Sequence, residues 1–123
     1  MIYENSEILV EFENAEIPWV KIFTKEPYKE LSDLPDELRT KLFAVGMECE
    51  KQMRAFYAPQ KINWASFANY VPKVHLHIQA RFGDDSFFPE SMWGKKQREG
   101  AKRDLRLDEF SVILAQNLAR ILD

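Results

Sequence analysis

A chain of 123 residues, 46% of them hydrophobic, is long enough for one core and too apolar for disorder. Its net charge of −3 is too mild to imply a nucleic-acid polymer or a membrane surface as partner. The single cysteine, Cys49, excludes an internal disulfide, no apolar run approaches the roughly 20 residues of a membrane span, and Met1-Ile2-Tyr3-Glu4-Asn5 carries no secretory pattern; the expected setting is the cytoplasm, and the expected organisation a single domain over 1–123.

Glu7 to Phe12 reads as a short, partly alternating strand, broken by Asn14-Ala15-Glu16. Trp19 to Phe23 is a second strand, and the two predict a hairpin. A polar connection, Lys25 to Leu34, leads to Pro35, which suits a first helical turn, with Asp36 and Glu37 at the positive end. Leu38, Leu42, Val45, Cys49, Met53 and Phe56 then recur at spacings of three and four. They predict an amphipathic helix of roughly 20 residues with one buried stripe, stopped by Pro59. Cys49 falls on that stripe and reads as core filler.

Lys61 to Phe67 predicts another strand, with Asn69-Tyr70 as a tight connection. From Val71 the alternation is long: Val71, Lys73, His75, His77, Gln79 and Arg81 share one face, and Pro72, Val74, Leu76, Ile78, Ala80 and Phe82 the other. A long loop follows through Trp93, then a segment from Gly94 to Arg106 in which six bases meet two acids. On charge alone that segment is a solvated connector. A last helix is predicted from Asp108 as N-cap, with Phe110, Ile113, Leu114, Asn117, Leu118 and Ile121 inward. These elements predict an α+β domain: an antiparallel sheet of about five strands, a long helix and a C-terminal helix. The helices would cover the apolar face and leave the His75 face open.

Both histidines of the chain lie two residues apart on that face, roughly 7 Å from each other along a strand. Spacing leaves three readings open: a polar strand face, a metal pair, or a site for a phosphate-bearing ligand. The metal reading lacks a third ligand, because no acid or cysteine flanks the pair.

The stretch Asn69-Tyr70-Val71-Pro72-Lys73-Val74-His75-Leu76-His77-Ile78-Gln79-Ala80-Arg81 resembles the signature of the histidine triad (HIT) superfamily, His-φ-His-φ-His-φ-φ with φ apolar. Within it, the chain resembles bacterial diadenosine tetraphosphate hydrolase-like proteins. Weaker likenesses lie in Ile17-Pro18-Trp19-Val20-Lys21-Ile22-Phe23, in Tyr28 to Leu34, and in Ile62-Asn63. Two alignments are open. One sets His75, His77 and Gln79 on the three positions, with His77 attacking. The other sets Lys73, His75 and His77 there, with His75 attacking. The flanks favour the second, since Asn69, Val71 and Ile78 then fall where the family has an amide, a valine and an apolar residue. The first triad histidine is then Lys73, and Gln79 departs from an apolar position.

The resemblance implies attack by His75 on a nucleotide α-phosphate, giving a nucleotidyl-histidine that water or another acceptor resolves. His77 would contact the leaving-group oxygen and help it depart with a proton. Asn69 and Asn63 would hold phosphate or nucleotide, and the Lys73 ammonium can reach the phosphate. Implied substrates are dinucleoside polyphosphates or nucleoside phosphoramidates, in a homodimer. No metal or other cofactor is expected in the site, though a polyphosphate would bring Mg²⁺. Two alternatives stand beside this enzyme: a nucleotide-binding sensor that lost turnover through Lys73, and a metal-binding domain using His75 and His77.

Overall fold

The computed structural model describes residues 1–123. Five strands form one sheet: β1 (Tyr3–Glu4), β2 (Ile8–Phe12), β3 (Trp19–Thr24), β4 (Lys61–Ala65) and β5 (His75–Arg81). Their order is β1-β2-β3-β5-β4, and every pair is antiparallel. Helix α1 (Asp36–Tyr57) follows β3 after a short 3-10 turn, Leu31–Asp33, and α2 (Leu107–Leu122) closes the chain. The α+β class, the long helix and the C-terminal helix are as the sequence predicts. No helix is long and apolar enough to cross a membrane.

Both helices lie on one side of the sheet. The inward alternates Ile8, Val10, Val20, Ile22, Ile62, Leu76, Ile78 and Ala80 meet Leu42, Val45, Cys49 and Met53 of α1. Helix α2 packs on α1 through Phe110, Leu114 and Leu118. The predicted stripe of α1 is therefore the buried one, although Phe56 at its end is only half-buried. The helix stops where Ala58 turns left-handed, at φ 46°, and Pro59 can donate no further backbone bond.

Three boundaries depart from expectation. The strand predicted from Val71 begins only at His75, because Pro72 has no N–H, the Lys73 N–H closes a tight turn onto the Val71 carbonyl, and the Val74 N–H goes to Tyr28. Its β4 partner likewise ends at Ala65 rather than Phe67. Helix α2 begins at Leu107 with left-handed Arg106 in the N-cap position, which puts Asp108 in the first turn instead. Ile113 and Ile121, predicted inward, look outward.

Gly46 on α1 lies directly against a side chain of the sheet. A Cβ there would lie 2.5 Å from the ring of Trp64 on β4. That ring cannot swing away easily, since it stacks on Phe43 and its indole N–H donates to Glu50 at 2.9 Å. Replacing a helical glycine by alanine ordinarily stabilises by about 0.5–1 kcal/mol, whereas overpacking costs about 1–3 kcal/mol. Gly46→Ala is therefore expected to lower unfolding stability by roughly 1–2 kcal/mol in urea titrations; a gain in stability would contradict this packing.

Candidate active site around His75 and His77

Strand β5 runs between β3 and β4, so its outer face is flanked on both sides. Phe23 lies opposite His75, Lys21 and Ala65 opposite His77, and Trp19 and Asn63 opposite Gln79. Directly paired residues share a face, and these side chains make one surface. The rings of His75 and His77 stand edge to face, 4.8 Å between centroids.

Each imidazole is oriented by a different partner. His75 Nδ1 lies 2.9 Å from the Lys73 carbonyl oxygen, which can only accept, so Nδ1 carries the proton and Nε2 keeps a free lone pair. Phe23 stacks on the His75 ring at 4.9 Å and 24°. His77 is held the opposite way: the Trp19 indole N–H donates to its Nδ1 at 3.0 Å, which leaves the proton on Nε2. Burial, then the neighbouring His75 and Lys21, push the His77 pKa down to about 4, against an opposing pull from Glu13. His77 is thus a neutral donor at pH 7. The sequence singled out the pair, but Trp19, 58 residues away from His77, carried no sequence signal beyond its strand.

Beside the two imidazoles opens a cavity of about 400 Å³, walled by the 67–71 segment and by Trp93. Trp93 packs edge-on against His77, Trp19 and Phe67, with centroids 4.9–5.1 Å away. None of the backbone N–H groups of Asn69, Tyr70 and Val71 is engaged by a backbone carbonyl. They are free donors at the cavity wall. Of the predicted residues, His75, His77 and Asn69 meet here. Lys73 and Asn63 stand apart from the cavity wall. The Lys73 ammonium lies over Phe23, 5.7 Å from the ring centroid, and the Asn63 side-chain oxygen accepts from Arg81 at 2.8 Å. His75 and His77 have no third His, Cys, Asp or Glu placed to complete a metal site.

The outer face is not open along its whole length. Beyond His77 it is covered by the segment that follows β5, and Gln79 and Arg81 are buried. A buried ion pair anchors that cover. Arg81, 1% exposed, donates Nε and Nη2 to the two carboxylate oxygens of fully buried Asp85. Asp85 also accepts from the N–H groups of Phe82, Phe87 and Phe88, while Arg81 reaches the Glu90 carbonyl. Burial by itself would raise the Asp85 pKa, but the Arg81 hydrogen bonds and three backbone donors outweigh it and hold it at about 2. The basic segment joins the same anchor: Arg98 donates to the Asp85 and Phe88 carbonyls, and Arg103 pairs with Asp84. Part of this connector is therefore a fastening rather than a solvated face.

A five-stranded antiparallel sheet backed by two helices, with an alternate-residue histidine pair on an interior strand, defines a small α+β domain built around two imidazoles. The family model described as HIT domain matches residues 2–84, and the chain belongs to that family. Among solved structures it resembles a histidine triad protein from Bradyrhizobium japonicum (TM-score 0.78, 23% identity, covering 95% of this chain and 88% of that one). One from Sinorhizobium meliloti is similar (TM-score 0.77, 20% identity, 94% and 87% covered). A zinc-bound histidine triad family protein from Mycobacterium smegmatis shares the fold more loosely (TM-score 0.59, 22% identity, 98% and 84% covered). No curated protein matches the sequence significantly.

The Asp85 anchor has a pH signature. Its carboxyl titrates near pH 4 when unfolded and at about 2 when folded, so its contribution is complete above about pH 4 and is lost as pH falls toward 2. Asp85→Asn is expected to lower stability by about 3 kcal/mol at pH 7, because Arg81 is left buried without its counter-ion, and to flatten the acid limb between about pH 4 and 2. Urea unfolding followed across pH checks both; an unchanged acid limb would contradict the assignment.

Proposed function

We propose that this protein is a nucleotide hydrolase or nucleotidyl transferase that acts at a nucleotide α-phosphate through a nucleotidyl-His75 intermediate. The observation that carries the reading is the His75 Nδ1–H bond to the Lys73 carbonyl, which leaves the Nε2 lone pair directed away from the backbone. In the proposed step Nε2 attacks phosphorus, a P–N bond forms, and the bond to the leaving group breaks with its electron pair. Water or another acceptor then attacks phosphorus and gives up its proton to solvent, while the P–N bond breaks and its electron pair returns to His75 Nε2. His77 offers Nε2–H to the leaving atom. The free N–H groups of residues 69–71 and the Asn69 side chain are read as ligands of the phosphate oxygens. Lys73 adds positive potential from the Phe23 side, and Asn63, its oxygen held by Arg81, keeps its amide N–H₂ for the nucleotide. Candidate substrates are dinucleoside polyphosphates and nucleoside phosphoramidates.

Lys73 in the first triad position is compatible with turnover. What it supplies to His75 is a main-chain carbonyl, which any residue provides. We also read the chain as a homodimer through α1 and the outer edge of β4, supported by exposed Phe43 and Met47 beside half-buried Trp64 at that edge.

His75→Ala is expected to abolish turnover. His77→Ala should lower kcat by roughly 10²–10³, the usual loss of one donor to developing charge, and Lys73→His should leave kcat unchanged or lower. Steady-state kinetics on a nitrophenyl ester of a nucleoside monophosphate reads all three. Turnover by His75→Ala, or a large kcat gain in Lys73→His, would contradict the reading. The same ester carries no polyphosphate for Mg²⁺ to neutralise, so its hydrolysis is expected to survive EDTA. Loss of activity restored by Zn²⁺ would favour a metal centre instead.

A further inference from the structure

His77 is enclosed by groups that leave its charge state little freedom. An indole N–H can donate and never accept. Trp19 Nε1 aims its only hydrogen at His77 Nδ1 across 3.0 Å in a buried contact. Protonating Nδ1 would set two donors against each other there. Trp19 is itself fixed: it lies on β3 opposite Gln79, is 9% exposed, and packs edge-on against both His77 and Trp93. We infer that Trp19 is a positioning residue that locks His77 as the neutral Nε2–H tautomer, so that the leaving atom receives a hydrogen bond but no proton, and that the site is therefore built for leaving groups that depart as anions.

The charges around His77 point the same way. From β3 comes Lys21, which opposes an imidazolium, as His75 on the same strand as His77 does whenever it is protonated. β4 presents uncharged Ala65 and the covering segment uncharged Trp93. The acid that would favour an imidazolium, Glu13, is drawn to Lys21 at 2.9 Å, and Glu11 lies 3.5 Å from the same ammonium. Burial adds to the opposition, and His77 loses its proton well below the usual imidazole range.

This inference rests on the proposed reaction and narrows its substrates. As His75 Nε2 attacks, the bond from phosphorus to the leaving atom breaks and the electron pair stays on that atom. A neutral His77 could surrender its Nε2 proton only by becoming an imidazolate, so the proton stays and the leaving group departs as an anion under a hydrogen bond. A nucleoside polyphosphate or an acidic phenolate leaves readily in that form. An alkyl amine must first gain a proton, which His77 so held does not supply. Dinucleoside polyphosphates are therefore favoured over phosphoramidates of alkyl amines.

Two measurements test this, one needing no substrate. Long-range ¹H–¹⁵N spectra of the whole protein report which imidazole nitrogens carry protons. The expected result is His77 with bare Nδ1 and protonated Nε2, unchanged between about pH 5 and 8, where an ordinary histidine titrates. In Trp19→Phe, which keeps an aromatic ring and loses the donor, His77 should begin to titrate in that window. A wild-type His77 that is protonated on Nδ1 there, or a Trp19→Phe spectrum identical to wild type, overturns the proposal. If Trp19→Phe fails to fold, the wild-type spectrum alone still decides the tautomer. The second measurement compares one nucleoside with three leaving groups: nucleoside polyphosphate, nitrophenolate and an alkyl amine. The wild type should turn over the first two at least about 100-fold faster than the third, the scale of acid catalysis withheld, and Trp19→Phe should narrow the gap. Equal rates overturn the leaving-group half. If the wild type turns over none of them, the proposed function falls and takes the leaving-group half with it, while the spectrum still decides the role of Trp19.

Discussion

The hydrogen bond from His75 Nδ1 to the Lys73 carbonyl joins two residues one strand repeat apart. It exists because the chain has not yet become a strand at Lys73. Pro72 cannot donate, the Lys73 N–H turns back onto Val71, and sheet pairing begins only at His75. A strand continuing from Val71 would place side chain 73 on the same face and engage its carbonyl in the ladder. The break frees that carbonyl for the imidazole. The rest of the site follows from this orientation: Nε2 is the nitrogen left for chemistry, and the free N–H groups of residues 69–71 lie just ahead of it in the chain.

A second constraint acts from the other end of β5. The Arg81–Asp85 pair is buried, bidentate and saturated with further donors. Buried ion pairs of this kind are weak evidence for net stability, because desolvating two charges offsets much of their attraction. Removing one partner is costly all the same. The pair therefore fixes a geometry: it folds the segment after β5 back over Gln79 and brings Trp93 against His77, Trp19 and Phe67. Arg81 also holds Asn63 across the β4–β5 boundary. An exposed, charged connector could not set an indole within 5.0 Å of an imidazole without such an anchor.

What the sequence revealed and what it hid divide along physical lines. The α1 stripe was legible because a 3.6-residue period over many turns leaves little ambiguity, and Leu38, Leu42, Val45, Cys49 and Met53 are all buried, with Gly46 beside them. The alternation through His75, His77, Gln79 and Arg81 was legible for the same reason. Hidden were interactions between residues far apart in the chain. Trp19 read as an ordinary strand aromatic, and only the β3–β5 pairing brings it to His77. Arg81 read as a polar strand residue, although an arginine at the end of a long alternating strand followed four residues later by Asp85 was the available signal for a buried pair. The start of α2 was misread because Arg106 adopts a left-handed backbone that arginine rarely favours.

The proposed reaction divides labour between two imidazoles whose Nδ1 atoms have opposite partners, an acceptor for His75 and a donor for His77. The most direct test of that division is to quench wild-type protein during turnover of a nitrophenyl nucleotide ester and map the adduct by tandem mass spectrometry. The account predicts a nucleotidyl group on His75 and nowhere else. An adduct on His77 or Lys73, or rapid turnover with no covalent species at any time, would contradict it.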